Sequence, residues 1–130
     1  MYIVELLKRI KRAYRLRMIR DCFVIDPSTK LTGQFRLNVF FPIKRKFLII
    51  GKDNIIGCEF RFESKEGLVT VGNKNYIGPS LIICHNHIAI GNNVTIAWGC
   101  TIYDHNSHSL DFISNDSRVY GWARIWCRLL

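Results

Sequence analysis

At 130 residues, with 48% hydrophobic and 12% aromatic content, the chain makes one domain with enough apolar side chain for a core, which excludes a disordered polar chain. The net charge of +9 is high for that size and unevenly spread: seven basic residues fall between Lys8 and Arg20, and Glu5 is the only acid in the first twenty. Such a patch implies attraction to anionic lipid, phosphate groups or nucleic acid, and it says nothing about the fold.

Residues 1–20 read as an amphipathic helix. Ile3, Leu6, Leu7, Ile10, Ala13 and Tyr14 follow the i, i+3, i+4, i+7 spacing of one helix face, with Lys8, Arg9, Lys11, Arg12 and Arg15 around it. The stripe is expected to pack on the domain or another subunit, or to lie on an anionic membrane surface. No zinc finger, helix-turn-helix or aromatic-basic signature accompanies the charge, so nucleic acid is not an expected partner. The basic cluster follows the apolar residues, the reverse of a secretory signal, and no apolar run reaches the roughly 18 to 20 residues that span a bilayer. The expected location is cytoplasmic, with peripheral contact at the inner face of the membrane through residues 1–20.

The helical pattern stops at Asp21. Asp26-Pro27-Ser28 is a turn, Phe35, Leu37 and Val39 alternate with polar residues as a half-buried strand does, and Lys44-Arg45-Lys46 reads as a solvated turn. A six-residue beat begins at Ile50. Ile50, Ile56, Phe62 and Leu68 stand six apart; after a slip of three come Val71, Ile77 and Ile83; after a slip of one, Ile90, Ile96 and Ile102. Five of these ten positions are followed by glycine. A period of six fits neither an α-helix nor a simple alternating strand, and implies a short strand and a corner repeated at fixed length. Three units make one turn of a triangular prism with the leading aliphatic residue inward, and turns stack roughly 4.8 Å apart. The slips mark loops or bulges between coils. The beat spans about three coils, whose ends need covering.

The five cysteines, Cys22, Cys58, Cys84, Cys100 and Cys127, are odd in number and form no CxxC pair, and several fill repeat positions suited to a small apolar residue. A reduced, intracellular protein is the expected setting.

The beat runs into Thr101-Ile102-Tyr103-Asp104-His105-Asn106-Ser107-His108-Ser109-Leu110-Asp111. Hexapeptides followed by this histidine loop (103–111) resemble the hexapeptide-repeat acyltransferases, most closely the sugar O-acetyltransferases of lipopolysaccharide, capsule and exopolysaccharide assembly. The basic opening helix is similar to theirs too, so the likeness covers roughly residues 1–112. It implies a mainly β fold, a left-handed parallel β-helix over 21–112 behind an N-terminal amphipathic α-helix. It also implies a homotrimer with active sites between subunits, acetyl-CoA lying along the coil as co-substrate, and a sugar or polysaccharide precursor as acceptor.

On this resemblance a loop histidine is the general base. A sugar hydroxyl is a poor nucleophile at neutral pH, and an imidazole that titrates near the working pH can take its proton during attack on the thioester. His108, followed by Ser109-Leu110-Asp111, fits the family's placement best; His105 is the alternative. Asp104 or Asp111 would orient the imidazole, and Tyr103 and Asn106 would line the acceptor site. His85 and His87 fall one coil earlier and would share a side of a strand. They are read as a polar corner, or as part of the acceptor or CoA pocket. Trp98 is expected against a neighbouring coil or subunit, and is the residue assigned to the CoA surface.

Residues 113–130 depart from the family. Further hexapeptides normally follow the loop and build much of the CoA surface; here 117–130 has no beat. The chain therefore reads as C-terminally truncated, with an end like a shifted reading frame after about Arg118. Two other functions stay open: a non-catalytic remnant serving assembly or membrane anchoring, and a zinc carbonic anhydrase of the same fold using His85, His87, His105 and His108. No metal is expected on the leading reading.

Overall fold

The structure is a computed structural model. It describes residues 1–40 and 43–105 and the backbone of 124–127. His108, Asn106 and Asp111 lie outside the described residues.

The chain folds as a left-handed parallel β-helix behind one α-helix, α1 (Tyr2–Met18). Four coils follow. The first holds β1 (Phe23–Ile25), β2 (Lys30–Leu31) and β3 (Arg36–Val39); the second β4 (Leu48–Ile50), β5 (Ile55–Ile56) and β6 (Glu59–Phe62). The third holds β7 (Leu68–Val71), β8 (Tyr76–Ile77) and β9 (Leu81–Cys84); the fourth β10 (His87–Ile90), β11 (Thr95–Ile96) and β12 (Cys100–Tyr103). Strands of successive coils pair in parallel into three sheets, β1-β4-β7-β10, β2-β5-β8-β11 and β3-β6-β9-β12. A last strand, β13 (Arg124–Cys127), joins the third sheet antiparallel to β12, with Ile102 opposite Ile125. The tail without a beat thus covers the β12 edge, which the sequence left open.

The core is the inward row of each sheet. Ile50 stacks beside Val71, Ile56 beside Ile77, and Phe60 beside Ile82. These side chains are buried, with Cys58, Phe62, Val69 and Cys84. Phe47 and Phe62 meet at 5.4 Å between ring centroids, Phe35 and Phe60 at 6.1 Å. Cys22, Cys58, Cys84 and Cys100 are buried and form no disulfide among the described residues, as small apolar fillers. Burial pushes the thiol of Cys58 up to about 12, so it stays protonated.

Three expectations need correcting. There are four coils where the beat shows about three: the first, inside the expected 21–112, starts at Phe23 and is hidden because Ile25 pairs with Ile50 across 25 positions, against 21 from Ile50 to Val71. Leu68 and Ile83 keep the six-residue count but do not point inward. Strand alternation turns Val69 and Ile82 into the core, while Leu68 and Ile83 are only half-buried. Arg45 is not in a merely solvated turn: its guanidinium donates to Gly67 O at 2.7 Å and Glu66 O at 3.0 Å and lies 5.1 Å over the Phe47 ring.

The corner from first to second sheet explains the Gly-Asn phrases. Asp53, Lys74 and Asn93 occupy equivalent left-handed positions at φ 56°, 56° and 57°. Inside each corner runs a polar ladder. Asn54 Oδ1 accepts the N–H of Asn75 at 2.8 Å, and Asn75 Oδ1 accepts that of Val94 at 2.7 Å. Their amides donate onward to Gly72 O at 2.9 Å and Gly91 O at 2.8 Å. Each asparagine satisfies backbone groups of the next coil, so these buried polar side chains hold the coils in register.

Helix α1 buries none of its residues fully. Its C-terminal half engages the coil: Leu16, and Ile19 just beyond the helix, pack against the core, and Arg12 Nη1 donates to Thr32 O at 2.6 Å. No helix among the described residues is long and apolar enough to cross a membrane.

Candidate functional site

The corner from third to first sheet carries the chemistry. Pairing Phe62 with Cys84, and Ile83 with Tyr103, puts Glu63, His85 and His105 in one column on successive coils. The pleat sends the residue before each histidine inward, so Asp104 sits above Cys84 with 1% exposure.

A buried carboxylate needs partners, and Asp104 has them. Oδ1 accepts the N–H of His85 at 2.7 Å, and Oδ2 that of Asn86 at 2.7 Å; the thiol of Cys84 lies 3.5 Å from Oδ2. Burial pushes the Asp104 carboxyl up, but these hydrogen bonds together outweigh it and hold it below the usual carboxylate range. The same negative charge, after burial itself, pushes the Cys84 thiol up to about 12. Asp104 therefore pins the His85–Asn86 corner in place, a role its sequence neighbourhood did not reveal.

His105 is the best-placed imidazole among the described residues. Its Nε2 stands 3.3 Å from Glu63 Oε2, and its Nδ1 is buried 3.4 Å from Asp104 Oδ1 without hydrogen-bond alignment. The side chain is 16% exposed, against 38% for Glu63 at the rim. The exposed ring of His85 lies 5.3 Å from that of His105, centroid to centroid, with Nδ1 3.4 Å from Asn86 Oδ1. Tyr103 stands edge-on to His105 at 6.4 Å. An imidazole between one fixed and one movable carboxylate can take up and return a proton.

No match came from comparisons with family models, curated proteins or solved structures. The geometry alone carries the argument.

Of the sequence candidates, this corner unites Tyr103, Asp104, His105 and His85. Trp98 is not among them. It is 65% exposed at the corner between second and third sheets, the far end of the third sheet from the histidines. Near it an open cleft of about 370 Å³ runs up the coil edge past Gly57, Ser80, Gly99 and Thr101. His87 does not share a strand face with His85: it opens β10, while His85 lies in the preceding bend. No group of three or more His, Cys, Asp or Glu among the described residues is arranged to hold a metal ion.

Two residues of the corner were missed. Glu63 reaches His105 from two coils away, and Ser64 fixes the turn between them by donating to His85 O and accepting the N–H of Gly67 at 3.1 Å. The signal was present only as register: once Phe62 is paired with Cys84, Glu63 falls beneath His85.

Proposed function

We propose that the chain is an acetyl-CoA-dependent O-acetyltransferase acting on a sugar hydroxyl of a surface-polysaccharide precursor, with His105 as general base. The observation that supports it is the half-buried His105 ring held between Glu63 and Asp104. Asp104, fixed by two backbone N–H groups, lies against Nδ1 of the ring and leaves Nε2 to face the acceptor. In the reaction the acceptor hydroxyl replaces Glu63 opposite Nε2 and loses its proton to the ring. Its oxygen adds to the thioester carbonyl, the C–S bond breaks, and the departing CoA thiolate recovers the proton.

The cleft beside Trp98 suits the acetyl-CoA arm, since a glycine-lined coil edge lets a ligand approach the backbone. In one chain, cleft and histidine corner stand at opposite ends of the third sheet. A homotrimer that sets the cleft of one subunit against the histidines of the next is therefore part of the proposal, and it accounts for a site this open in the single chain. His108 remains the alternative base.

A non-catalytic coil is the second reading, favoured by the Glu63 contact that already occupies Nε2 of His105. Thiol release from acetyl-CoA in the presence of sugar acceptors separates the two. His105→Ala is expected to lower kcat by roughly 10²- to 10⁴-fold with the circular dichroism of the coil unchanged. Undiminished turnover in that variant rules His105 out as base, and no turnover in the parent protein with any acceptor favours the non-catalytic coil.

A further inference from the structure

The first twenty residues combine two features that a helix packed only on its own domain does not need. Ile3, Leu6, Leu7, Ile10 and Tyr14 are all more than half exposed, Ile3 at 72%. With 3.6 residues per turn, Arg12, Leu16 and Ile19, which meet the coil, lie on the face opposite that stripe. The apolar stripe therefore points away from the β-helix.

Between α1 and the first coil lies a groove of about 310 Å³, lined by Lys8, Arg9, Lys11, Arg12, Arg15 and Arg36. Glu5 is its only acid, and it pairs loosely with Lys8 at 3.7 Å. Among the described residues, Arg9, Lys11, Arg15 and Arg36 have no ion pair. Six cations gathered around one concavity repel one another unless an anion joins them.

We propose that α1 docks the protein on a membrane surface bearing anionic lipid, with the stripe in the acyl-headgroup boundary and Lys11 and Arg17, which flank it on the helix, against lipid phosphates. The inference is independent of the acyl-transfer reading. Charge decides the occupant. A second copy meeting this stripe would bring a second helix of six cations and one acid against the first, whereas an anionic bilayer meets the cations flanking the stripe with opposite charge. Nucleic acid would satisfy the cations but leaves the apolar stripe without a partner.

The test is flotation of the full chain with vesicles of phosphatidylcholine alone, and with vesicles in which phosphatidylglycerol replaces part of it. Binding to the anionic vesicles is expected to be roughly tenfold or more tighter and to weaken with salt. Leu6→Glu with Ile10→Glu should abolish it. Lys11→Gln with Arg17→Gln should remove the anionic preference, each protein keeping the β-sheet circular dichroism of the parent. Equal binding to both vesicles, or undiminished binding by the Leu6/Ile10 variant, overturns the proposal. So does binding of free inorganic pyrophosphate without any vesicle binding, which makes the groove a site for soluble phosphates. Loss of an oligomer in the Leu6/Ile10 variant, with no vesicle binding by the parent, assigns the stripe to a second copy instead.

Discussion

Gly72 lies directly under Gly91 in the coil stack: a Cβ on Gly72 would stand 2.6 Å from the carbonyl oxygen of Gly91 and would also collide with Asn92 Oδ1. Gly91, at the same corner of the last coil, has nothing within 4 Å of its own Cβ position among the described residues. One corner motif therefore carries two different constraints, set by whether a further coil is stacked on it.

That difference gives an internally controlled prediction. Gly72→Ala forces two backbones apart and is expected to cost about 1–3 kcal/mol. Gly91→Ala should fall within about 0.5 kcal/mol of the parent. Urea unfolding followed by circular dichroism measures both.

The asparagine ladder makes a second. Asn54 is 1% exposed and serves the backbone groups of Asn75 and Gly72. Asn54→Val leaves both buried and unpaired, and is expected to cost about 3 kcal/mol. The equivalent residue of the last coil is already Val94, whose side chain has no amide to offer a further coil. Val94→Asn should accordingly leave the urea midpoint nearly unchanged.

The buried carboxylate sets a pH dependence. Asp104 is held below its ordinary range in the folded chain, so the unfolded chain binds its proton first as pH falls. Its stabilisation is complete above the ordinary carboxylate range and disappears as pH drops through the lower folded value. Asp104→Asn should cost about 2 kcal/mol at pH 7 through its lost charge-assisted bonds, and the gap from the parent should close on acidification. Urea midpoints at a series of pH values read this out; a constant gap contradicts the assignment.

How far the sequence revealed this depends on what each residue's role rests on. Ile50, Ile56, Ile77 and Ile102 were legible as inward residues because their role is set by local period. Ile83 was not, because the pleat and not the count decides which face a residue takes, and Ile82 is the one buried. The first coil lay inside the expected 21–112 but showed no beat, because Ile25-Asp26-Pro27 lacks the aliphatic-glycine phrase and the stretch from Phe40 to Lys46 breaks the period. In the histidine corner, His85, Tyr103, Asp104 and His105 were legible by type and position. Glu63 was not, since its contact with His105 depends on two coils of register. Asp104 was read as an orienting acid; its stronger bonds go to the N–H groups of His85 and Asn86, which only stacking brings within reach.

The central claim is acetyl transfer, and the most direct measurement is calorimetric titration of the full chain with acetyl-CoA. The account predicts saturable binding, with Trp98→Ala weakening it by about tenfold through lost aromatic contact and His105→Ala leaving it nearly unchanged. A folded chain that takes up no acetyl-CoA contradicts the claim.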